Sequence, residues 1–422
     1  MKNHFAALCF LAAGAVSVVS AQEGSVPKGV SHLDHVFVIM MENHAYNQVV
    51  GNPNMPFTNK YANEVNSARN YFAVGHPSLT NYLEVVGGSN FGVRDDNSPD
   101  WHSTACTPNI AAKTVSLEST STAICPIYGS GTDAATPAID YSNETSGPPG
   151  AIDVDGKLAY AANPNTVAET IADELAAHGL SWKSYQESLP PTGADQVNLA
   201  DGFVSNLIDI PTLLPGSGLT NSSLIGLYAV KHNPFAYFQS VQEGTDSDLS
   251  LQRMAGFQGK GGLFADLASD HVPSYSFVVP NQCHDQHGRG NAGPECAYDP
   301  NDNGTLVGLN PALMYDGDLA IETLVTAIHE SSVWQRGKTA IVIVWDENDY
   351  SISPTTNQVL LTVDTNYGPK GVQSTKFYTH FSLLKSIEAG FGLPCLNHAC
   401  DSSTKVMSDL FGDGDHDGDD WK

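Results

Sequence analysis

Two apolar runs in the sequence, 36–41 and 339–345, each end at polar residues that could bind a metal ion. Runs of this length predict strands buried on both faces, and in open α/β sheets ligands bind at the carboxyl ends of the strands. Carboxylate and amide oxygens there would form a cage for a hard divalent cation, although they could also simply begin solvated loops. The polar residues are Glu42, Asn43 and His44 after the first run, and Asp346 and Glu347 after the second.

Ser78 is the candidate nucleophile. Residues 75–77 have the composition of a turn, and 79–86 has the apolar spacing of a helix that two glycines end. Ser78 is therefore predicted at the N-terminal end of a helix, where free backbone N–H groups and the helix dipole favour an anion. A hydroxyl there is easier to ionise and could carry a transferred phosphoryl group. The alternative role is that of an ordinary N-cap.

A second group of ionisable residues follows the predicted strand 273–280. His284, Asp285 and His287 lie within four positions of one another, a density typical of metal or proton chemistry. The two histidines are candidates for proton transfer, and Asp285 is a further candidate.

Four other residues are weaker candidates. Lys183 falls on a predicted strand, 180–187, and Lys231 and His232 end another apolar run, so these three could contact a substrate phosphate. His380 falls in the first turn of a predicted helix, where a neutral imidazole is favoured and could act as a ligand or proton carrier. Packing and surface roles are the alternatives for all four.

The charge balance limits the partners that the protein could have. The chain has 19 Lys and Arg residues against 46 Asp and Glu residues, a formal net charge of −27 at pH 7. Such acidity argues against a nucleic-acid groove or an anionic membrane surface as the main partner. An anionic substrate would need a local cation, either a bound metal ion or clustered lysines. A metal site is therefore favoured if the substrate is a phosphate ester.

The first 21 residues resemble a cleavable secretory signal peptide, with a lysine near the start, an apolar run and small residues before the cleavage point. No later apolar run is long enough to span a bilayer, so we predict a secreted or periplasmic protein. Six cysteines remain after cleavage, and near neighbours could pair as disulfides, with a cysteine zinc site as the alternative. Those pairs, which sequence alone leaves open, are Cys106–Cys125, Cys283–Cys296 and Cys395–Cys400.

The rest of the chain, 22–411, is predicted to form one domain. A stretch rich in Gly, Ser, Thr and Pro near 129–156 is interpreted as a surface excursion, and 412–422 as an acidic tail. A capping box at Thr166 predicts a helix through residue 177, and the amphipathic stretch 317–334 predicts another. The sequence makes no prediction of the oligomeric state.

Seven motifs lie in order along nearly the whole chain after residue 21. They are Glu42-Asn43-His44-x-Tyr46, His76-Pro77-Ser78-x-x-Asn81-Tyr82, Trp182-Lys183-x-Tyr185-x-Glu187, Lys231-His232-Asn233-Pro234-Phe235, Val279-Pro280-Asn281-x-Cys283-His284-Asp285-x-His287, Trp345-Asp346-Glu347-x-Asp349 and Tyr378-x-His380. Together they resemble the phosphoesterase family that unites acid phosphatases with non-specific phospholipases C, and the third and fourth resemble its acid-phosphatase branch. The resemblance implies an alkaline-phosphatase-like α/β fold, a three-layer α/β/α sandwich with a mostly parallel central sheet.

The resemblance also implies roles for individual residues. Ser78 matches the metal-bound nucleophile, while His284 and His287 match a histidine-rich loop beside the leaving group. The metal ligands that it implies are Glu42, Asn43, Ser78, Asp346 and Glu347. The expected cofactor is a divalent ion, Ca²⁺, Mg²⁺ or Mn²⁺, or Zn²⁺ if a histidine joins the oxygen donors.

The expected activity is metal-dependent hydrolysis of a small phosphate monoester through a phosphoserine intermediate. A phosphodiesterase of the phospholipase C type is the first alternative. The larger phospholipases usually have a substantial extra C-terminal domain, whereas this chain ends soon after Glu388, which favours the monoesterase. A non-catalytic exported protein that binds metal or phosphate is the second alternative.

Overall fold

The computed structural model describes residues 23–93, 96, 99, 166–189, 216, 226–244, 246–269, 271–349 and 357–412. The strands are β1 (His35–Met41), β2 (Asn66–Ala68), β3 (Tyr71–Phe72), β4 (Trp182–Gln186), β5 (Met254–Ala255), β6 (Tyr275–Val279), β7 (Thr339–Trp345), β8 (Leu361–Thr365), β9 (Gln373–Ser374) and β10 (Tyr378–Thr379). The helices are α1 (Tyr46–Val49), α2 (Pro56–Glu64), α3 (Ser78–Gly87), α4 (Ile171–Ala177), α5 (Gln239–Glu243), α6 (Leu263–Ala268), α7 (Pro311–Glu330), α8 (Ser332–Gln335), α9 (His380–Phe391) and α10 (Ser408–Phe411). Short 3₁₀ turns lie at Val230–His232, Pro234–Tyr237, Leu251–Arg253, Pro294–Cys296 and Asn397–Cys400.

Eight of these strands form one sheet in the order β5-β4-β6-β1-β7-β8-β2-β9. The strands from β5 to β7 run parallel, β8 is antiparallel to both of its neighbours, and β2 is parallel to β9. The central strands β1 and β7 are buried along almost their whole length. The predicted α/β class with a mostly parallel sheet is confirmed.

The register between β1 and β7 brings the two predicted strand ends together. Met41 pairs with Trp345, so Glu42 and Asp346 follow at neighbouring positions. The N–H of Asp346 donates to the carbonyl of Met41 at 2.9 Å, which continues the pairing past the strand ends. Because the strands are parallel, both carboxylates emerge at the same edge of the sheet.

Helices cover both faces of the sheet. Lys183 and Ser184 are consecutive on β4 and therefore point to opposite faces. Lys183 bonds to Asp266 in α6, whereas Ser184 bonds to Asn233 between two 3₁₀ turns. On the first side α6 packs with α7, and on the second α3 packs with α9 and with those turns. The predicted three-layer arrangement is confirmed.

The predicted helix start at Thr166 is wrong. α4 begins at Ile171 because Thr170 is its N-cap, and the Asp173 carboxylate accepts the N–H of Thr170 at 2.8 Å. Two capping-box patterns follow one another in this stretch, at 166–169 and 170–173, and the chain uses the second of them.

The predicted start of the long amphipathic helix near Gly317 is also wrong. α7 begins at Pro311, where the missing proline N–H is not needed. Asn310 caps the helix by accepting the N–H of Ala312 at 3.1 Å. The helix therefore extends about two turns further towards the N-terminus than its apolar spacing indicates.

Two of the predicted disulfides, Cys283–Cys296 and Cys395–Cys400, are present. The third, Cys106–Cys125, falls outside the described residues, as do the predicted signal peptide, the excursion 129–156 and the tail beyond residue 412. Within the described part of the chain, no helix has the length and apolar character needed to cross a membrane.

Candidate active site

Ser78 lies between carboxylates that the two central strands deliver. Its Oγ donates to Glu42 Oε2 at 3.1 Å and lies 3.3 Å from Glu347 Oε1. Asp346 Oδ1 accepts the backbone N–H groups of Asn43 at 3.0 Å and of Glu347 at 2.7 Å. The structure thus places the five residues predicted for the metal site in one group, which we call the carboxylate cluster.

The first turns of α3 orient Ser78 against the carboxylates of this cluster. Asn81 and Tyr82 follow Ser78 by three and four positions and so share its face of the helix. The Tyr82 hydroxyl donates to Glu42 Oε1 at 2.7 Å, and Asn81 Nδ2 donates to Glu347 Oε2 at 2.9 Å. One helix therefore carries Ser78 and holds two of the carboxylates that surround it.

His232, a weak phosphate candidate from the sequence, is a buried imidazole in contact with the cluster. Its Nε2 lies 3.0 Å from Glu42 Oε1 and its Nδ1 3.2 Å from Asp285 Oδ2, and its ring stacks on Tyr82. Burial alone would lower the pKa of His232, but the two carboxylates outweigh burial and raise the pKa to about 10. Burial pushes the pKa of Glu42 upward, yet the neighbouring His232 charge prevails and lowers it.

For the carboxylates of Asp346 and Glu347, burial and neighbouring acids outweigh the nearby cationic groups. Asp346 is fully buried, and its Oδ2 has no hydrogen-bond partner among the described residues. Burial, followed by the charges of Glu42 and Glu347, raises the pKa of Asp346 well above its usual range. Burial and the charges of Asp96 and Glu42 do the same to the pKa of Glu347. A divalent cation would relieve this repulsion, and the oxygen donors suit a hard ion, so the residues fit the predicted metal.

A set of mixed donors adjoins the carboxylate cluster. Ligand atoms of Glu42, His232 and His287 lie within 4.8 Å of one another. An ion held there would have two nitrogen donors, which favours Zn²⁺ over Ca²⁺ or Mg²⁺. The donor sets therefore allow both an oxygen-ligated ion and one with histidine ligands.

His44 forms a separate group with Asp299 and Asp302. Its Nε2 lies 2.9 Å from Asp299 Oδ2, and its Nδ1 lies 3.0 Å from the carbonyl of Glu42. The ligand atoms of these three side chains also lie within 4.8 Å of one another. His44 thus ties the backbone of the first strand end to the 299–302 loop.

His287 and Lys231, which we call the edge pair, border the cluster. Lys231 Nζ donates to His287 Nε2 at 3.2 Å, and His287 Nδ1 lies 2.9 Å from the carbonyl of Gly288. The His287 backbone N–H donates to Asp285 Oδ1 at 2.7 Å, and its ring centroid lies 5.6 Å from that of His232. Because a carbonyl can accept the proton on Nδ1, Nε2 is the nitrogen available for proton transfer.

His380 supports the cluster from the first turn of α9. Its Nε2 donates to the carbonyl of Asp346 at 2.6 Å, and its Nδ1 accepts from the Tyr71 hydroxyl at 2.8 Å. Burial lowers the pKa of His380 to about 4. Both ring nitrogens are occupied and the ring is neutral, so the geometry favours a positioning role for His380 over that of ligand or proton carrier.

His284 and Lys183 have no contact with the carboxylate cluster among the described residues. His284 Nδ1 lies 2.8 Å from Glu187 Oε2, and this bond raises the pKa of His284. Lys183 Nζ pairs with Asp266 at 2.5 Å on the opposite side of the sheet from α3. Lys183 and Glu187 line a cavity of about 770 Å³ that includes no residue of the cluster. The contacts therefore favour the edge pair over these two residues for phosphate chemistry.

Three residues in contact with the cluster had no predicted role. His76 Nδ1 lies 2.9 Å from Glu347 Oε2, and Asn81 and Tyr82 bond to the carboxylates as described above. All three belong to one motif, and their spacing around Ser78 was a usable signal. Residues at i+3 and i+4 share the helix face of a nucleophile at the helix start.

Comparisons with known proteins agree with these features. The family described as the phosphoesterase family matches residues 52–297, more than half of the chain.

An acid phosphatase of Aspergillus fumigatus is 22% identical over 390 residues, which are 92% of this chain and 61% of that protein. A probable acid phosphatase of Kluyveromyces lactis is 22% identical over 380 residues, 90% of this chain and 62% of that protein. A phosphatidylinositol-3-phosphatase of Mycobacterium tuberculosis is 21% identical over 418 residues, 97% of this chain and 95% of that protein. The chain thus spans about three fifths of the length of the two fungal relatives.

Proposed function

The chain belongs to the phosphoesterase family, and from this membership we propose that it is an exported, metal-dependent phosphatase that hydrolyses small phosphate monoesters. One observation carries the proposal: the Ser78 hydroxyl lies at the start of α3 between Glu42 and Glu347, at 3.1 and 3.3 Å. A serine that only capped the helix would not need two buried carboxylates against its hydroxyl. The names of the fungal relatives support a monoester substrate.

The cofactor in this proposal is a divalent ion. Glu42, Asp346 and Glu347 would hold it with the Ser78 oxygen and the Asn43 side chain. When bound, such an ion lowers the pKa of a coordinated hydroxyl and neutralises charge on phosphoryl oxygens.

The first step forms a bond between Ser78 Oγ and phosphorus and breaks the bond to the leaving oxygen. The Ser78 hydroxyl releases its proton to solvent, because the neighbouring Glu42, whose pKa is lowered, stays ionised. Backbone N–H groups at the start of α3 and the Lys231 ammonium hold phosphoryl oxygens. Lys231 Nζ, which donates to His287 Nε2 in the free protein, turns to the phosphoryl oxygen, and Nε2 of protonated His287 then donates its proton to the leaving oxygen, which departs as an alcohol.

The second step hydrolyses the phosphoserine. His287, now neutral, takes a proton from water while the water oxygen bonds to phosphorus. The bond between phosphorus and Ser78 Oγ breaks, and Ser78 Oγ takes up a proton from solvent. The products are phosphate and the starting enzyme, so the protons balance over the two steps.

Export rests on the N-terminal sequence and on the disulfides. Cys283–Cys296 and Cys395–Cys400 both close within the domain. Disulfides form and persist in oxidising compartments such as the periplasm or the extracellular space. They therefore support the prediction of a signal peptide over 1–21.

The test of the proposal compares Ser78→Ala with the wild type on a soluble aryl phosphate. We expect the variant to lose several orders of magnitude in rate, because loss of a covalent nucleophile removes the main reaction path. Ser402→Ala, at an exposed serine, is the matched control and should keep wild-type turnover. Chelation of divalent ions should abolish wild-type turnover, and adding back the right ion should restore it.

Three results would contradict the proposal in different ways. Near-normal turnover of Ser78→Ala would remove the phosphoserine mechanism. Preferred cleavage of phosphatidylcholine micelles by the wild type would indicate a phospholipase C-type diesterase. No turnover on any ester, together with intact metal binding, would indicate a binding protein.

A further inference from the structure

A carboxylate from another part of the chain occupies the start of α3. Asp96 Oδ1 accepts the backbone N–H of Leu79 at 3.1 Å, and Asp96 Oδ2 lies 3.2 Å from Lys231 Nζ. Leu79 directly follows Ser78, and Lys231 also bonds to His287. One carboxylate thus occupies two donors, the Leu79 N–H and the Lys231 ammonium, which could otherwise bind an anion beside Ser78.

These two partners are the donors expected for a phosphoryl group on Ser78. An anion at a helix start is bound by backbone N–H groups of the first turn, and a lysine ammonium can bind a second oxygen as a point charge. A carboxylate, with two oxygens on one carbon, can satisfy both donors at once. The negative charge of Asp96 also contributes to the raised pKa of Glu347, after burial itself, which places Asp96 within the electrostatic reach of the carboxylate cluster.

We infer that Asp96 is an internal phosphate mimic, which occupies the phosphate-binding donors of the free enzyme and which the substrate must displace. This inference rests on the proposed function. The Asp96 side chain is 33% exposed, so it can leave these donors without opening the core. A substrate phosphoryl group therefore competes with Asp96 for Leu79 N–H and Lys231.

The competition makes Asp96 a specificity residue. A phosphate monoester carries up to two negative charges on the phosphoryl group, whereas a diester carries one. The dianion exceeds the singly charged carboxylate in its attraction to the same donors, and the monoanion does not. Asp96 therefore selects monoesters over diesters.

A purely structural role would have different consequences. The N-cap of α3, Pro77, makes no side-chain bond to the helix, so Asp96 could serve only as its capping carboxylate. Loss of a cap lowers the stability of the helix, and a loosened helix that carries Ser78 would lower kcat. Loss of a competing anion instead lowers the KM for the substrate and strengthens the binding of inorganic phosphate.

The experiment measures both quantities in Asp96→Asn, with metal-loaded protein throughout. We expect the KM for an aryl phosphate and the Kd of inorganic phosphate, measured by calorimetry, to fall about tenfold, because one charge-assisted competitor is weakened. We expect kcat to stay within about twofold, and kcat/KM for an aryl phosphodiester to rise more than that for the monoester. Asp248→Asn, at an exposed aspartate paired with Arg253, is the control and should leave all of these values unchanged.

The outcomes separate this inference from the proposed function. If Asp96→Asn turns over substrate as fast as the wild type and its Kd for phosphate is unchanged or raised, the inference is overturned. The proposed phosphatase activity is then unaffected. A lower kcat and lower stability at constant phosphate Kd assigns Asp96 to capping alone. Tighter phosphate binding by Asp96→Asn, in a protein that turns over no ester, keeps the phosphate mimic and overturns the phosphatase.

Discussion

The two ends of α3 both bury carboxylates, but in different surroundings. At the start of the helix, Glu42 is bonded by Ser78, Tyr82 and His232. Near its end, Glu174 of α4 is 2% exposed, and neither of its carboxylate oxygens has a hydrogen-bond partner within the part of the chain that the structure describes. The same residue type is therefore surrounded by donors at one end and by other acids at the other.

The acids near the end of the helix come from α4 and α9. Glu388 is fully buried; its Oε1 accepts the N–H of Leu396, while its Oε2 has no partner among the described residues. The following turn reaches the end of α3, where the N–H of His398 donates to the carbonyl of Gly88. Burial, followed by the charge of Glu388, raises the pKa of Glu174 to about 10.

The contrast shows that burial alone does not decide the charge of a carboxyl group. Without a cationic neighbour, Glu174 keeps its proton at neutral pH, whereas Glu42, beside His232, loses its proton readily. Glu42 at the start of α3 stays charged and can bind a metal ion, whereas Glu174 at the other end keeps its proton and cannot. Substitutions that change the charge at either end of the helix test this difference.

The largest effect is expected for Asp346→Asn at the start of the helix. An Asn oxygen can keep the two bonds that Oδ1 accepts from Asn43 and Glu347, so only the charge of the buried acid is removed. We expect turnover of an aryl phosphate to fall by more than about 100-fold, since the ion contributes several kcal/mol of charge stabilisation. Glu174→Gln, the same chemical change at the other end, should leave turnover unchanged.

A second measurement on the same variant checks the cause. The metal-free variant should be as stable as the wild type or more so, because one of several crowded charges is gone. The wild type should gain more in Tm from added metal than the variant does. Equal metal-induced shifts in the two proteins would show that Asp346 is not a ligand.

Glu174→Gln itself is expected to change the free energy of unfolding rather than turnover, and the change depends on pH. The folded pKa of about 10 lies above the ordinary value of 4.5, so the folded state binds a proton that the unfolded state releases between these values. Wild-type stability is therefore greatest below about pH 4.5 and falls as pH rises through this window. Gln cannot ionise and escapes the loss, so the variant should be more stable by on the order of 3 kcal/mol at pH 8.

Urea unfolding at pH 4 and pH 8 measures the difference. The gain should vanish at pH 4, where the wild-type acid is protonated in both states. Glu322→Gln, at an exposed site on α7, should show no gain at either pH. An equal gain at both pH values would mean that Glu174 is destabilising for reasons other than its proton.

The strand ends could be predicted because their signals are local. The apolar runs before Glu42 and Asp346 set the strands, and parallel strands present their ends at one edge of the sheet. The turn and helix pattern around Ser78 predicted its place at a helix start, and the resemblance to a known family added its match to a metal-bound nucleophile. The adjacency of Glu42 and Asp346 depends on the pairing of β1 with β7, which no local pattern specifies.

The groups that tune the cluster could not be predicted because their partners are far away in sequence. His232 joins Glu42 to Asp285 from a 3₁₀ turn 190 positions after the first acid. Asp96 belongs to no motif, and its contact with Lys231 spans 135 positions. A sequence shows that such residues can ionise, but only the fold shows which opposite charge each one meets.

The smallest effect in the comparison is expected for Tyr71→Phe, which leaves the cluster intact and loosens its support. The Tyr71 hydroxyl donates to Nδ1 of His380, whose Nε2 fixes the carbonyl of Asp346. Removing the hydroxyl leaves a buried imidazole nitrogen without its donor, at about 1–3 kcal/mol of stability, and frees the ring to turn. Turnover should fall about tenfold, at the low end for loss of a group that orients a metal ligand.

Tyr378→Phe, the control, removes a buried hydroxyl bond to Asp409 away from the cluster. It should cost similar stability with no loss of turnover. If both variants lose stability and neither loses turnover, the hydroxyl of Tyr71 serves folding alone, and orientation of the Asp346 backbone does not limit catalysis.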